Sequence, residues 1–239
     1  MKKIYFQDLG IKGYKETWEY QEKLFQHLLK LKAGNARLPQ KEKEVTPNHL
    51  LFVEHPNVYT LGKSGSEANL LINYVEMQNI NATFFKTNRG GDITFHGLGQ
   101  LVAYPIIDLE NFGMGLKDYI HALEDVIIKT LKDFSIDAAR LDGATGVWLD
   151  TDDKIKNRKI CAIGVKSSRF VTMHGFAFNV NTNLDFFDYI NPCGFTDKSV
   201  TSLEKELGKK QDFEAIKTKV KEKFEEVFKM EFNEAVFSK

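Results

Sequence analysis

One of the two cysteines of this 239-residue chain stands at a bend, where its thiol would fill no core. In the stretch INPCGF, Cys193 lies between Pro192, which fixes its own φ and lacks an amide hydrogen, and Gly194, which allows left-handed backbone. The other cysteine, Cys161, lies in the apolar run KICAIGV and is predicted to be a buried strand residue. Cys193 is therefore the candidate for thiol chemistry.

A thiol needs a neighbouring cation or base before it becomes a nucleophile at neutral pH. A cysteine with a pKa of ~8.5 is only about 3% thiolate, whereas a pKa of ~6 would make it about 90% ionised. Lys159 at the start of KICAIGV offers an ammonium group, and once neutral it can accept a proton from an incoming amine. His174 and His96, each followed by glycine, are the competing partners, and residue types alone leave the two pairings equal.

The highest density of candidate ligand-binding residues is the segment TNRGGDITFHGLGQLVAYPIIDL, residues 87–109. Its four glycines precede an apolar strand and let backbone amides approach a ligand closely. Arg89, Asp92, Thr94 and His96 bring polar groups to the same loop, as in the floor of a binding site. The segment lacks the ending of a phosphate-binding loop and the spacing of a dinucleotide site. The alternative is a tight hairpin whose polar residues satisfy its own backbone.

Composition excludes several broad classes. Lys plus Arg and Asp plus Glu both number 33, so no global basic field attracts nucleic acid or anionic lipid. The sequence begins without an apolar export segment and has no run of about 18 apolar residues, so we expect a cytoplasmic protein that does not span a membrane. The histidines and cysteines show no HExxH or CxxC spacing, and no metal site is predicted.

The elements that must position these residues alternate irregularly along the chain. Apolar residues at helical spacing predict helices within 16–32, within 115–134 and near 212–230. Short β-branched and aromatic runs between them predict strands, several joined as hairpins. The pattern favours an α+β fold with a mixed or antiparallel sheet packed with helices, in one domain over 1–239. A charged stretch near 32–49, broken by two prolines, is predicted to be a surface excursion.

Five ordered motifs carry a resemblance to a known family. The motifs EHPNVYTLGKSG, RGGDITFHGLGQLVAYPI, KICAIGVK, HGFAFNVN and INPCG resemble, in order and approximate spacing, those of the lipoyl(octanoyl) transferase family, LipB. The likeness covers about residues 50–195. The family belongs to a superfamily with the lipoate and biotin protein ligases, so the resemblance implies their two-layer fold with a mixed, largely antiparallel sheet.

The resemblance implies a reaction and the residues that carry it. An octanoyl group would pass from octanoyl acyl carrier protein to a lysine of a lipoyl domain, in 2-oxoacid dehydrogenase complexes or the glycine cleavage H protein, in lipoate biosynthesis. A thioester on the enzyme would be the intermediate, with Cys193 as nucleophile, Lys159 as its partner and no cofactor. The residues that match the substrate-binding positions are Arg89, Gly90, Gly91, Asp92, Ile93, Thr94, Phe95, His96, Ala162, Ile163, Gly164, Gly175, Phe176 and Ala177.

The sequence departs from the family pattern at two places. Leu98 stands where the family has proline, and Lys166 and Ser167 occupy a stretch that is often rich in arginine. Because both expected protein partners are acidic, a basic docking rim is a further hypothesis. Its members are Lys154, Lys156, Arg158, Lys166 and Arg169.

Three other functions remain as alternatives at this point. An ATP-dependent lipoate protein ligase would share the fold and would not need Cys193. A cysteine hydrolase would use His174 and pass the acyl group to water. A catalytically silent module that binds lipoyl domains or carries an acyl group would not need both Cys193 and Lys159.

Overall fold

The computed structural model describes residues 2–191 and 199–234 of the chain. Their strands are β1 (Lys2–Ile11), β2 (Asn48–Glu54), β3 (Val58–Leu61), β4 (Thr83–Lys86), β5 (Ile93–His96), β6 (Gln100–Ile106), β7 (Ala139–Leu141), β8 (Ala144–Leu149), β9 (Arg158–Ser168), β10 (Val171–Asn179), β11 (Ser199–Val200) and β12 (Met230–Glu234). Their α-helices are α1 (Tyr14–Asn35), α2 (Tyr74–Asn79), α3 (Leu116–Lys132), α4 (Leu203–Leu207) and α5 (Phe213–Phe228). None of these helices is long and apolar enough to cross a bilayer.

The main sheet has the strand order β12-β1-β2-β6-β10-β9-β8-β7, with β11 paired to β9. The pairs β1–β12, β1–β2 and β9–β11 are parallel. The other five described pairs are antiparallel: β2–β6, β6–β10, β9–β10, β8–β9 and β7–β8. The expectation of a mixed, largely antiparallel sheet is therefore confirmed.

Helices cover both faces of this sheet, and the alternation of side chains along its strands supplies an apolar surface to each. On β2, Leu50 and Phe52 join the cluster that packs against α3 and α5, whereas Leu51 and Val53 join the cluster with Phe25 of α1. Strands β6 and β10 are buried along their whole length because both of their faces are covered. The site residues on β10 thus lie in a layer that is covered on both faces.

A second, three-stranded sheet has the order β4-β3-β5. Strand β3 pairs in parallel with β4 and antiparallel with β5. Its apolar side packs Tyr59, Phe95 and Phe187 together, with the rings of Tyr59 and Phe95 5.3 Å apart. The loop between β4 and β5, residues 87–92, carries Gly90 and Gly91, the first two of the four glycines in the glycine-rich segment. The small sheet therefore presents this loop to the main sheet.

The charged stretch near 32–49 is exposed over a narrower range than expected. Helix α1 continues to Asn35 and β2 begins at Asn48, with exposed residues from 36 to 45 between them. Both ends of the excursion are tied to the buried carboxylate of Asp108, which accepts hydrogen bonds from Lys32 Nζ at 2.5 Å and from Thr46 Oγ1 at 3.0 Å. The ion pair with a buried carboxylate therefore holds Lys32 in α1, outside the exposed stretch.

Candidate active site

A cavity of about 300 Å³ lies between the main sheet and the loop that precedes β5. Residues of β9, β10, β5 and β11 form its walls together with this loop. The predicted site residues that line it are Arg89, Gly91, Asp92, Ile93, Thr94, His96, Lys159, Ala162, Ile163, Gly164, Gly175, Phe176 and Ala177. Three segments that are far apart in sequence are thus brought to one cavity.

Two predicted site residues lie beside this lining instead of in it. The amide of Gly90 donates to the carbonyl oxygen of Val165 at 2.8 Å, so Gly90 joins the loop to β9. Phe95 is 1% exposed and stacks on Phe186 with the ring centroids 4.7 Å apart. The structure therefore places Phe95 in the apolar core of the small sheet.

Glycines allow the segments around the cavity to approach one another. Gly164 and Gly175 are partners in the register of β9 and β10. A Cβ atom at Gly175 would lie 2.1 Å from the carbonyl oxygen of Ala103 on β6, and one at Gly164 would lie 3.0 Å from the carbonyl oxygen of Gly90. Both contacts are with backbone, which cannot move aside as a side chain can. Close packing of segments thus explains these two glycines.

Arg89 joins the glycine-rich loop to the small sheet from a buried position. Its Nη2 donates to the carbonyl oxygen of Thr60 at 2.6 Å and to Thr60 Oγ1 at 3.0 Å, and its Nη1 donates to the carbonyl oxygen of Gly90 at 3.0 Å. The side chain also places a positive charge next to the buried histidines. Arg89 therefore both shapes the loop and disfavours a second cation nearby.

His96 belongs to a buried hydrogen-bond network. Its Nδ1 donates to Gln100 Oε1 at 2.8 Å, and Nε2 lies 3.3 Å from Thr60 Oγ1. Gln100 in turn donates to Asn179 Oδ1 at 2.9 Å. Burial, then the nearby His55 and Arg89, lowers the pKa of His96 well below its ordinary value. The ring is therefore neutral at physiological pH.

His174 is buried in a strained backbone conformation. Its φ is 62°, although it lies within β10, and such a conformation costs a non-glycine residue about 1–3 kcal/mol. Its backbone amide donates to Gln21 Oε1 at 3.1 Å, and Nε2 donates to Asn88 Oδ1 at 2.7 Å. Burial, followed by the charge of Arg89, lowers the pKa of His174 to about 3. This argues against His174 as the partner of a catalytic cysteine, because so weak a base cannot deprotonate a thiol effectively.

Lys159 lies at the start of β9 and lines the cavity. Its Nζ is 4.6 Å from the centre of the Trp148 ring. Val200 of β11 is its partner in register, and both Ser199 and Val200 line the cavity. Cys193 lies outside the described residues, which resume at Ser199. The part of the chain that follows Cys193 therefore enters the described structure directly beside Lys159.

Cys161 has the role that its sequence context predicts. The side chain is fully buried in the core cluster beneath α3. Burial raises the pKa of its thiol well above the ordinary value, against a smaller opposing effect of Lys159. The prediction that Cys161 is a buried strand residue is confirmed.

The residues of the predicted docking rim fall into two groups along β9. Lys154, Lys156 and Arg158 lie in or beside the β8–β9 hairpin, whereas Lys166 and Arg169 lie at the opposite end of β9. Eight strand residues separate the two groups by about 26 Å. Arg158 is also neutralised, because it forms ion pairs with Asp150 and Glu206. Three of the five basic residues therefore lie at one end of β9 and two at the other.

Several lining residues were not selected from the sequence. They come from α1, β6, β8, β10 and the turn that follows β7, namely Tyr14, Gln100, Val102, Tyr104, Gly143, Ala144, Thr145, Trp148 and Asn179. Leu98, which departs from the family pattern, is 53% exposed and stays outside the lining. Residues 2–191 and 199–234 contain no cluster of His, Cys, Asp and Glu that could hold a metal ion.

Comparisons with known proteins agree with this geometry. Residues 13–225 match the family model described as the lipoyl protein ligase A/B catalytic domain. The chain is 52% identical over 228 residues to an octanoyltransferase of Flavobacterium psychrophilum, covering 95% of this chain and 97% of that protein. It is also 52% identical over 232 residues to an octanoyltransferase of Flavobacterium johnsoniae, covering 96% and 98% respectively.

Solved structures support the fold alone, because their sequences are distant. A bipartite lipoate protein ligase of Thermoplasma acidophilum aligns with a TM-score of 0.70 at 13% identity, covering 100% of this chain and 88% of that chain. A lipoate-protein ligase A bound with ATP aligns with a TM-score of 0.67 at 13% identity, covering 99% and 89%. The chain belongs to the lipoyl protein ligase A/B catalytic-domain family and, within it, to the octanoyltransferases.

Proposed function

We propose that this chain transfers an octanoyl group from octanoyl acyl carrier protein to a lysine of a lipoyl domain through a thioester on Cys193. The observation that carries the proposal is the position of Lys159, in the wall of the cavity and paired with β11. The names of relatives at 52% identity support the acyl group and the reaction class. The acceptors would be lipoyl domains of 2-oxoacid dehydrogenase complexes or the glycine cleavage H protein.

The first half-reaction exchanges one thioester for another. In the resting enzyme Cys193 has already given its proton to Lys159, and this thiolate attacks the carbonyl carbon of the donor thioester. A new carbon–sulfur bond forms, the donor sulfur leaves, and the Lys159 ammonium returns the proton to it. Because the bond broken and the bond formed are of the same kind, the step is close to neutral in free energy. Neither ATP nor a cofactor has to drive it.

The second half-reaction forms the amide. The acceptor amine attacks the acyl-Cys193 carbonyl, and Lys159, which is now neutral, accepts the proton that the amine loses. Cys193 leaves as a thiolate beside the restored ammonium, so the ion pair of the resting enzyme is regenerated. Conversion of a thioester to an amide is downhill, which makes this half-reaction the committed one.

The cavity offers an apolar wall for the acyl chain. Ile163 on β9, Val102 on β6, and Phe176 and Ala177 on β10 all line it. Each buried methylene contributes about 0.8 kcal/mol, so an octanoyl chain gains useful affinity here. The same figure limits discrimination between chains that differ by one carbon to a modest factor.

Two of the alternative functions fit less well. A ligase that activates free lipoate with ATP shares the family model and the fold of neighbours at 13% identity, but the relatives at 52% identity are named octanoyltransferases. A hydrolase that uses His174 as its base would need a histidine that titrates near neutral pH, and burial lowers the pKa of His174 to about 3.

Intact mass spectrometry after incubation with octanoyl acyl carrier protein tests the proposal. The expected result is one octanoyl adduct that hydroxylamine removes, as a thioester requires. The adduct should be absent in Cys193→Ser and present in the matched variant Cys161→Ala, whose cysteine is buried. An adduct that persists in Cys193→Ser, or a strict requirement for ATP, would contradict the proposed reaction.

A further inference from the structure

Trp148 holds a fixed position against the amine of Lys159. The two residues are partners in the register of β8 and β9. The Lys159 Nζ lies 4.6 Å from the indole ring centre, inside the ~6 Å range of a cation–π contact. Trp148 is 3% exposed, and its indole N–H donates to the carbonyl oxygen of Ala144 at 2.8 Å. The ring is therefore anchored both by burial and by a hydrogen bond.

The backbone of β8 makes room for this contact. The pairing of β8 with β9 shifts in register between Val147 and Trp148, which places the tryptophan opposite Lys159. Gly146 has a φ of 126°, and a Cβ atom there would lie 2.6 Å from the Cys161 carbonyl oxygen and 3.4 Å from Lys159 Cε. Glycine is therefore required by the positive φ and by the Cys161 carbonyl oxygen, and the Lys159 stem passes at van der Waals distance.

Several charged or titratable groups of the described residues lie around Lys159 and make contacts of their own. On α3, Glu124 Oε1 accepts the amide hydrogen of Gly146 at 3.1 Å, and Glu124 Oε2 accepts from Arg140 Nε at 2.7 Å. On β9, the buried Cys161 thiol has a raised pKa. Across the cavity lie Asp92 and Arg89, with the histidines 96 and 174 held neutral by burial. Ser199 and Val200 on β11 carry no charge.

We propose that Trp148 is a positioning residue, whose indole face holds the Lys159 ammonium in the cavity and favours its charged form. This inference rests on the proposed function, in which the resting enzyme needs that ammonium. Removing the ring should therefore make Lys159 easier to deprotonate, while the amine itself remains. Trp148 is not among the residues to which the family resemblance assigns a role.

The test measures the titration of Lys159 directly. The folded protein is labelled with trace acetic anhydride over a range of pH, and acetylation of Lys159 is quantified by peptide mass spectrometry. In Trp148→Leu, the labelling midpoint of Lys159 should fall by about one pH unit relative to wild type, which corresponds to ~1.4 kcal/mol. Trp148→Phe, which keeps a weaker aromatic face, should lie between the two.

Two controls separate this effect from a general disturbance of the fold. Lys166 lies 4.5 Å from the Phe25 ring, and its labelling midpoint in the same samples should not change. Phe6→Leu removes a ring from beneath Lys221, 4.4 Å away, and should leave the Lys159 midpoint at the wild-type value. If Trp148→Leu does not fold, 5-fluorotryptophan incorporated in wild type weakens the π face without changing its shape, and should lower the midpoint by a fraction of a unit.

The outcomes for the two proposals are distinguishable. An unchanged Lys159 midpoint in Trp148→Phe and in the fluorinated protein overturns the role of Trp148, whatever the transfer activity shows. A lowered midpoint supports it even if the thioester on Cys193 is absent, because the labelling does not depend on acyl transfer. A midpoint that also falls for Lys166 indicates a loss of structure and overturns the specific role.

Discussion

The two ends of strand β9 carry lysines with similar aromatic contacts and different surroundings. Lys159 Nζ lies 4.6 Å from the Trp148 ring, and Lys166 Nζ lies 4.5 Å from the Phe25 ring. Lys166 also forms an ion pair with Glu22 of α1 at 3.4 Å. Lys159 lines the cavity, whereas Lys166 does not. An aromatic partner is therefore not what distinguishes a candidate catalytic lysine.

The elements that cover each end explain the difference. Helix α1 packs over the Lys166 end, where Phe25 belongs to a closed apolar cluster. At the Lys159 end, the short strand β11 and the start of β8 border an open cavity beside the sheet. A lysine becomes available for chemistry where the covering layer leaves space, and becomes structural where that layer supplies a carboxylate.

The largest expected effect comes from removing each amine in turn. Lys159→Ala should slow acylation of Cys193 by octanoyl acyl carrier protein by about 10²–10⁴-fold, because the cation that ionises the thiol and the proton carrier are both lost. Lys166→Ala should slow it by less than about tenfold. Single-turnover kinetics checks both, with circular dichroism to confirm folding. Equal effects of the two variants would break the contrast between the ends of β9.

An intermediate effect is expected at the glycine pair between the two lysines. In Gly175→Ala the new methyl group would meet the Ala103 carbonyl oxygen at 2.1 Å, so the free energy of unfolding should fall by about 3 kcal/mol. Gly34→Ala is the matched control, because nothing lies within 4 Å of its Cβ position near the end of α1. That variant should be unchanged or stabilised by up to about 1 kcal/mol. Urea unfolding measures both, and equal stability of the two variants would refute the close approach of β10 to β6.

The smallest expected effect concerns His174, which pairs with Val165 near the Lys166 end. Its pKa is about 3 in the folded protein, so between pH 6.5 and about 3 the unfolded chain binds a proton that the folded chain does not. Its contribution to stability is therefore present at neutral pH and is lost as the pH falls.

Asparagine tolerates the positive φ of His174 and does not titrate. His174→Asn should therefore reduce the slope of unfolding free energy against pH by about 1.4 kcal/mol per pH unit between pH 6 and 4.5. Ala33→Asn, at an exposed position on α1 that carries no titratable group, should leave that slope unchanged. Urea unfolding at several pH values measures the slope, and an unaltered slope in His174→Asn would show that this histidine titrates normally in the folded state.

Short sequence patterns correctly predicted a helix, a buried cysteine and a loop that borders the cavity, because each depends on residues close together in the chain. The apolar spacing in residues 115–134 indicated a helix, and α3 spans Leu116–Lys132 with Tyr119, Leu123 and Val126 buried. The context of Cys161 indicated burial, and its thiol is in the core. The run of glycines and polar residues before β6 indicated a binding loop, and most of its members line the cavity.

Contacts between distant segments could not be predicted in this way. Phe95 shares a loop-to-strand segment with His96, but only its stacking on Phe186, which lies 91 residues further along the chain, shows that it belongs to a core. The five basic residues of the expected rim are close in sequence, yet strand β9 separates them into two groups. Residues that are close in sequence can lie far apart in space when an extended strand runs between them.

The sequence alone determined the family motifs, the identity of the candidate nucleophile and the elements that carry the site, because these depend on residue type and short-range periodicity. Only the tertiary structure decided that Lys159 lies in an open cavity against Trp148, and that the histidines 96 and 174 are buried and neutral. The physical reason is that solvation and contact with an aromatic face arise from segments brought together by sheet pairing, and no local pattern encodes that pairing.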